Sequence, residues 1–254
     1  MIYFVGAGPG DKELLTLKGA RLLAQADCVI YAGSLVNPEL LEFATKNCKI
    51  YDSASMTLEE IVMVMRECSQ RSENVVRLHT GDPSLYGAIR EQIDLLIQDD
   101  IPYQVVPGVS SFSAAAATLG AEYTVPGVSQ TLILTRMEGR TPVPPKENIV
   151  ELAKIQASMA VFLSADKLTE LSARLIEGGY TPDTPAAIVY KVSWSDETVA
   201  KTTLKNLAQE GERIGVTKTA LILAGNFLGD SGERSMLYHP DFSHGYRIGG
   251  GQHE

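Results

Sequence analysis

Short runs of β-branched and aromatic residues alternate, from the first residue, with stretches in which apolar positions recur at helical spacing. Ile2–Val5, Cys28–Tyr31, Cys48–Tyr51, Val75–His79 and Tyr103–Val106 each predict a short strand. Between them, Leu17, Ala20, Leu23 and Ala24 follow Thr16 as a capped helix would, and Leu58–Cys68 and Ala88–Ile97 behave likewise. Strand, helix, strand at this interval predicts a largely parallel sheet. After an Ala/Ser-rich helix at Ser110–Leu119 the texture changes: Tyr123–Gly127 is turn-prone and Arg140–Pro145 carries three prolines. A second set of apolar runs follows at Thr131–Leu134, Met159–Leu163, Ala186–Val189 and Leu221–Ala224. The expected fold is α/β, with two α/β domains: residues 1–120 around a mostly parallel sheet and residues 121–238 around a mixed one. Residues 239–254 read as a peripheral tail whose end, GGGQHE, frays.

Composition supports a folded chain: 254 residues, 44% apolar and 21% charged, can bury a core. Lys and Arg number 22 against 31 Asp and Glu, and no basic run breaks the balance, so nucleic acid is not an expected partner. Cys28, Cys48 and Cys68 fall twenty residues apart. Zinc ligands pair at much closer spacing, so no metal is expected, and a sparse, odd cysteine count fits a reducing compartment. The opening MIYFVGAGPGDKE carries no basic region or cleavage site, and the uncharged stretch Ile101–Ala121 is broken by Pro102 and Pro107. A cytoplasmic protein with no membrane partner is expected.

Three strands end in Gly/Pro turns. The first runs into Gly6-Ala7-Gly8-Pro9-Gly10-Asp11, which departs from the dinucleotide fingerprint G-x-G-x-x-G; Pro9 also removes a phosphate-binding N–H. A tight turn that lets something approach the strand's end fits better than a nicotinamide site, and a plain turn is the alternative. The second loop is Thr80-Gly81-Asp82-Pro83-Ser84-Leu85-Tyr86-Gly87, and the third is Val106-Pro107-Gly108-Val109-Ser110-Ser111. Ligands of open parallel sheets gather outside the carboxyl ends of the strands, so these turns predict a site at one edge. Asp82 would otherwise only cap the helix that follows.

The opening V-G-A-G-P-G-D-x-x-L-L-T-L-K-G-A, the T-G-D-P-S-L-Y-G loop and the V-P-G-V-S-S turn, in that order, resemble the tetrapyrrole methylases, over residues 2 to about 228. The stretches 134–144 and 190–197 resemble the branch that methylates C11 of precorrin-4 or cobalt-precorrin-4 in cobalamin biosynthesis. The resemblance implies a methyltransferase with S-adenosylmethionine as cofactor, S-adenosylhomocysteine as product, a small-molecule tetrapyrrole substrate, an active-site cleft between two domains, and a homodimer. It places Pro9 at the floor of the cleft, and Gly81, Asp82, Pro83, Leu85 and Tyr86 around the methionine moiety. Ser110 and Ser111 add polar contacts. From the second domain it places Leu163 against the adenine, with Tyr190, Lys191 and Ala220 around the nucleoside. Lys191-Val192, where uroporphyrinogen methylases commonly have Asn-Gly, points away from a uroporphyrinogen substrate.

Methyl transfer from a sulfonium needs alignment rather than a metal or a covalent nucleophile, and the sequence singles out no general base. His79 reads as a structural histidine at a strand end, and His239, His244 and His253 lie in the tail. Ser110-Ser111 lacks the nucleophile-elbow spacing of a serine hydrolase. For a ring bearing many carboxylates, Arg136 and Arg140 are the expected substrate contacts, with Lys191 as a further cation, and Glu138 in the same substrate loop is a candidate base. Other methylation positions, a nicotinamide oxidoreductase and a non-catalytic tetrapyrrole carrier remain as alternatives.

Overall fold

The computed structural model describes residues 1–229 and 232–250. His253 and the rest of 251–254 lie outside the described residues. The chain forms two compact units: Met1–Thr118 with Lys191–Thr198, and Leu119–Tyr190 with Val199–Glu254.

In unit one, β1 (Ile2–Gly6), β2 (Cys28–Tyr31), β3 (Lys49–Asp52), β4 (Val75–His79) and β5 (Tyr103–Val106) build a sheet of order β3-β2-β4-β1-β5. Every neighbouring pair is parallel. Side chains alternate across it, so Ile2 and Phe4 of β1 join Ile61, Met65 and Leu96, whereas Val5 joins Leu22 and Leu23. Both faces of β1, β2 and β4 are therefore buried, which is why these strands read as continuous apolar runs, whereas the edge strands β3 and β5 are largely exposed. The covering helices are α1 (Leu17–Ala24), α2 (Leu58–Gln70), α3 (Ile89–Gln98) and α4 (Ser111–Leu119). Thr16 caps α1 by accepting from the Gly19 N–H, and Thr57 and Glu60 form a capping box on α2. Because β4, β1 and β5 are contiguous and parallel, their C-terminal turns leave the sheet side by side.

The three cysteines occupy different places in the first unit and are free thiols. Cys28 opens β2, Cys48 precedes β3 and Cys68 lies in the last turn of α2. Cys28 and Cys68 meet in the core as hydrogen-bonded thiols, and burial pushes the Cys28 thiol well up.

Unit two holds β6 (Leu132–Arg136), β7 (Ser158–Phe162), β8 (Pro185–Tyr190), β9 (Thr198–Thr203) and β10 (Ala220–Ala224), in the order β6-β7-β10-β8-β9. β6 and β7 are parallel, while β10 runs antiparallel to β7 and β8. Helices α5 (Ile149–Ala153), α6 (Leu168–Glu177) and α7 (Leu207–Arg213) accompany them, and one core joins Leu168, Leu171, Leu175 and Leu207 to Met159, Val161, Ile188 and Ile222. β9, with the sequence Thr-Val-Ala-Lys-Thr-Thr, has no continuous apolar run; it sits at the sheet edge and buries Ala200. In the tail, Arg247 gathers the carbonyls of Leu237, His239 and Phe242, so that segment coils upon itself.

His79, the last residue of β4, is buried with its ring centroid 5.9 Å from that of Phe4, and its Nε2 has no hydrogen-bond partner. Burial, aided by the positive charge of Arg77, pushes its pKa down to about 3. Arg77 is itself buried and donates to Ser53 Oγ (2.9 Å), the Ile30 carbonyl and Gln92 Oε1. The unfolded chain takes up a proton on His79 near pH 6.5, whereas the native ring stays neutral until about pH 3. Lowering the pH through that interval therefore favours unfolding, and this group alone is expected to remove about 2 kcal/mol between roughly pH 7.5 and pH 5. In His79→Phe, the unfolding free energies from urea titrations at the two pH values should draw together by that amount; an unchanged gap would show that His79 is not the group responsible.

Candidate functional site

At the carboxyl edge of the first sheet, the turns after β1, β4 and β5 are stitched into one body. The Ala7 N–H donates to the His79 carbonyl (2.7 Å), and Gly8 and Gly81 exchange backbone hydrogen bonds of 3.2 and 2.8 Å. A Cβ on Gly6 would lie 2.5 Å from Gly108 Cα, and one on Gly108 would lie 2.2 Å from the Gly81 carbonyl oxygen, so only glycine fits at either place. Asp82 locks the arrangement. Its Oδ2 accepts from the Gly108 N–H (2.8 Å), and its Oδ1 accepts from the Ser84 N–H (2.8 Å) and hydroxyl. Burial alone would raise this carboxyl, but the hydrogen bonds from Ser84 and Gly108 outweigh it and hold its pKa below the ordinary value. Asp82 is thus ionised at neutral pH, and it positions two loops rather than merely capping α3, whose N-cap Ala88 carries no side-chain bond. The fold brings Pro9, Gly81, Asp82, Pro83, Leu85, Tyr86, Ser110 and Ser111 to this edge; Pro9, Pro83 and Ser110 are buried, Leu85 and Ser111 half-buried, and Tyr86 exposed.

What approaches the first turn closely is the protein's own Trp194. A Cβ on Gly10 would lie 2.1 Å from the indole Cδ1. The indole N–H donates to the Pro9 carbonyl (2.9 Å), and the Asp11 N–H donates to Ser193 Oγ (2.9 Å). Residues 191–198, the connection between β8 and β9, accordingly belong to unit one. This corrects the expectation for Lys191, which groups with the first unit rather than the second. Its ammonium pairs with Asp196 (2.5 Å) and lies 5.4 Å from the centre of the Trp194 ring.

Unit two has its own edge. Ile222 faces Val161, so the antiparallel register carries Ala220 opposite Leu163; Ala220 also faces Tyr190, and Arg136 faces Phe162. Tyr190, Ala220 and Leu163, the residue just past β7, therefore lie level at one end of the sheet, with Arg136 one residue away, opposite Phe162. Arg136 is committed to its own loop: its guanidinium donates to the carbonyls of Met137, Thr141 and Pro142. Lys167, which the sequence pattern does not single out, donates to the Glu138 carbonyl (2.6 Å), and Ser164 Oγ accepts from the Met137 N–H. These contacts present Glu138 and Arg140 at the exposed tip.

Backbone strain marks both edges. Nine described residues other than glycine have left-handed φ. Ser72, Asp100 and Gln156 simply follow helices, where such a residue is ordinary. The other six, Tyr86, Ala88, Leu163, Lys191, Ser193 and Thr219, fall on or beside the expected site residues. Conformations of this kind cost on the order of 1–3 kcal/mol each and cluster where function requires them. Leu163 is also 68% exposed, unusual for a large apolar side chain at the end of a buried strand.

A parallel-sheet edge carrying an ionised carboxylate, two serines at a helix start and strained loops has the composition expected of a small-molecule site in an open α/β fold. Residues 1–208 match the tetrapyrrole (corrin/porphyrin) methylases, and the chain belongs to that family of methyltransferases. It is 51% identical over 247 residues, 97% of this chain and 95% of the relative, to the cobalt-precorrin-4 C(11)-methyltransferase of Methanocaldococcus jannaschii. The X-ray structure of CbiF, a cobalt precorrin-4 methyltransferase of cobalamin biosynthesis, superposes with a TM-score of 0.88 at 45% identity, covering 90% of this chain and 95% of that one. The uroporphyrin-III C-methyltransferase of Thermus thermophilus, solved with S-adenosylhomocysteine, gives 0.76 at 28% identity, with 92% and 95% covered.

Asp82→Ala removes three hydrogen bonds to a charged acceptor and should lower stability by about 2 kcal/mol. Asp82→Asn, which keeps an acceptor oxygen, should lose less. Equal urea midpoints for Asp82→Ala and the native protein would contradict this account.

Proposed function

We propose that this protein transfers a methyl group from S-adenosylmethionine to C11 of precorrin-4 or cobalt-precorrin-4. The observation that carries the reading is that strained, left-handed backbone falls on or beside the residues that the family resemblance names, at the edges of both sheets. The full-length likeness to enzymes named for this reaction supports it.

The residues present fit such a donor. Ionised Asp82 complements a cationic ligand, the start of α4 with Ser110 and Ser111 offers hydroxyls and N–H groups to a carboxylate, and exposed Leu163 with small Ala220 suits a flat base. In this reading Pro9, Gly81, Asp82, Pro83, Leu85, Tyr86, Ser110 and Ser111 bind the methionine part, and Leu163, Tyr190, Lys191 and Ala220 the nucleoside. When bound, S-adenosylmethionine supplies a sulfonium methyl group open to in-line displacement. The chain's contribution is alignment and exclusion of water; well-aligned reactants reach effective molarities of about 10⁵–10⁸ M. His79, neutral and buried, is unsuited to accept the proton that the ring later loses.

The substrate carries many carboxylates, whereas the protein carries a net charge of −9. Arg140 resolves the mismatch locally, since Arg136 and Lys167 hold its loop and leave Arg140 exposed at the tip beside Glu138. We place the enzyme in the cytoplasm as a homodimer, on the family resemblance; no helix among the described residues is long and apolar enough to cross a membrane.

With methyl-labelled S-adenosylmethionine, label is expected at C11 of precorrin-4, with or without cobalt. S-adenosylhomocysteine should bind by calorimetry and NADH should not. Tetrapyrrole binding without any ring label would leave only a carrier role. Arg140→Ala should raise KM for the tetrapyrrole about tenfold, the loss of one charged hydrogen bond, with KM for the methyl donor unchanged; equal effects on both would remove Arg140 from the substrate site.

A further inference from the structure

We propose that Ser193 and Trp194 are positioning residues for the methyl donor: they hold the backbone of residues 9–11 in the shape on which the donor sits. This rests on the reading of that turn as part of the donor site. Three successive residues of the turn are each held by a side chain from elsewhere in the unit: the Pro9 carbonyl by the Trp194 indole N–H, the Gly10 carbonyl by Asn37 Nδ2, and the Asp11 N–H by Ser193 Oγ, all at 2.9 Å. Past the Gly8 bridge to Gly81 the turn has left the strand ladder, so these side chains set its conformation.

The strap is itself braced. The Ser193 N–H donates to Glu197 (2.6 Å), whose carboxylate also accepts from Thr118, and the Trp194 N–H donates to the Lys191 carbonyl (3.0 Å). Holding Ser193 and Lys191 at φ of 63° and 45° works against the backbone, yet no hydrophobic cluster of the first unit includes Trp194. A strained segment whose Ser193 and Trp194 lie outside the core clusters, yet grip two backbone groups of a turn that Asn37 holds at a third, has the character of a positioning device. The same contact explains why the second glycine of G-P-G must lack a side chain.

Trp194 is the only tryptophan in the chain, so its emission reports on the strap directly. S-adenosylhomocysteine is expected to lower acrylamide quenching of the native protein about twofold, because a bound donor stabilises the gripped turn and with it the docked indole. Trp194→Phe, which keeps a ring but loses the N–H, and Ser193→Ala should each weaken S-adenosylhomocysteine binding about fivefold, and Trp194→Ala about tenfold or more. KM for S-adenosylmethionine should rise in step, with kcat at saturation within about twofold of native, a split that general destabilisation would not produce. Should Trp194→Ala fail to fold, Ser193→Ala and Trp194→Phe decide. Folded variants that bind the product as tightly as the native protein would overturn the proposal. A native protein that does not bind it at all would overturn the functional reading, and this proposal with it.

Discussion

The backbones of Gly6, Gly81 and Gly108 touch, and the sheet edge of unit one is arranged around that contact. A methyl group on Gly6 or Gly108 would push the turns apart and break both the Gly8–Gly81 bridge and the bond from the Gly108 N–H to Asp82. With the three turns in van der Waals contact, the start of α4, the Asp82 carboxylate and Pro9 share one rigid frame. Rigidity of this kind suits a reaction whose barrier falls chiefly through alignment of two reactants.

Much of that frame was legible in the chain. The central strands β1, β2 and β4 are buried on both faces and stand out as apolar runs, and each of the five runs lies within a residue of a strand of the fold. The convergence of three Gly/Pro turns followed from parallel strands alone. The occupant of the first turn did not: the indole beside Gly10 comes from 185 residues away in sequence, and no local pattern announces it. Periodicity reads what a residue does for its own element, whereas Lys191 changes unit only because the path of the β8–β9 connection takes it there.

The second unit is less legible in the sequence for related reasons. β9 is an edge strand rich in threonine, and the short helices α5 and α7 give periodicity little length over which to speak. Arg136 looks like a ligand for carboxylates from its charge and position, and three of its hydrogen bonds go to carbonyls of its own loop. An arginine's five N–H groups serve a loop's backbone as readily as a ligand, and only the fold decides between the two.

The chain leaves the first unit after Thr118, returns to it for Lys191–Thr198, and leaves it again. During synthesis, the parallel sheet and its covering helices emerge more than seventy residues before the segment that grips the first turn. An N-terminal fragment ending at Thr118 would contain every strand of the first sheet and still lack two of the three side chains that hold residues 9–11. The first unit is thus no self-sufficient module that evolution or an engineer can lift out at its apparent boundary; its sheet edge is finished only by chain made after most of the second.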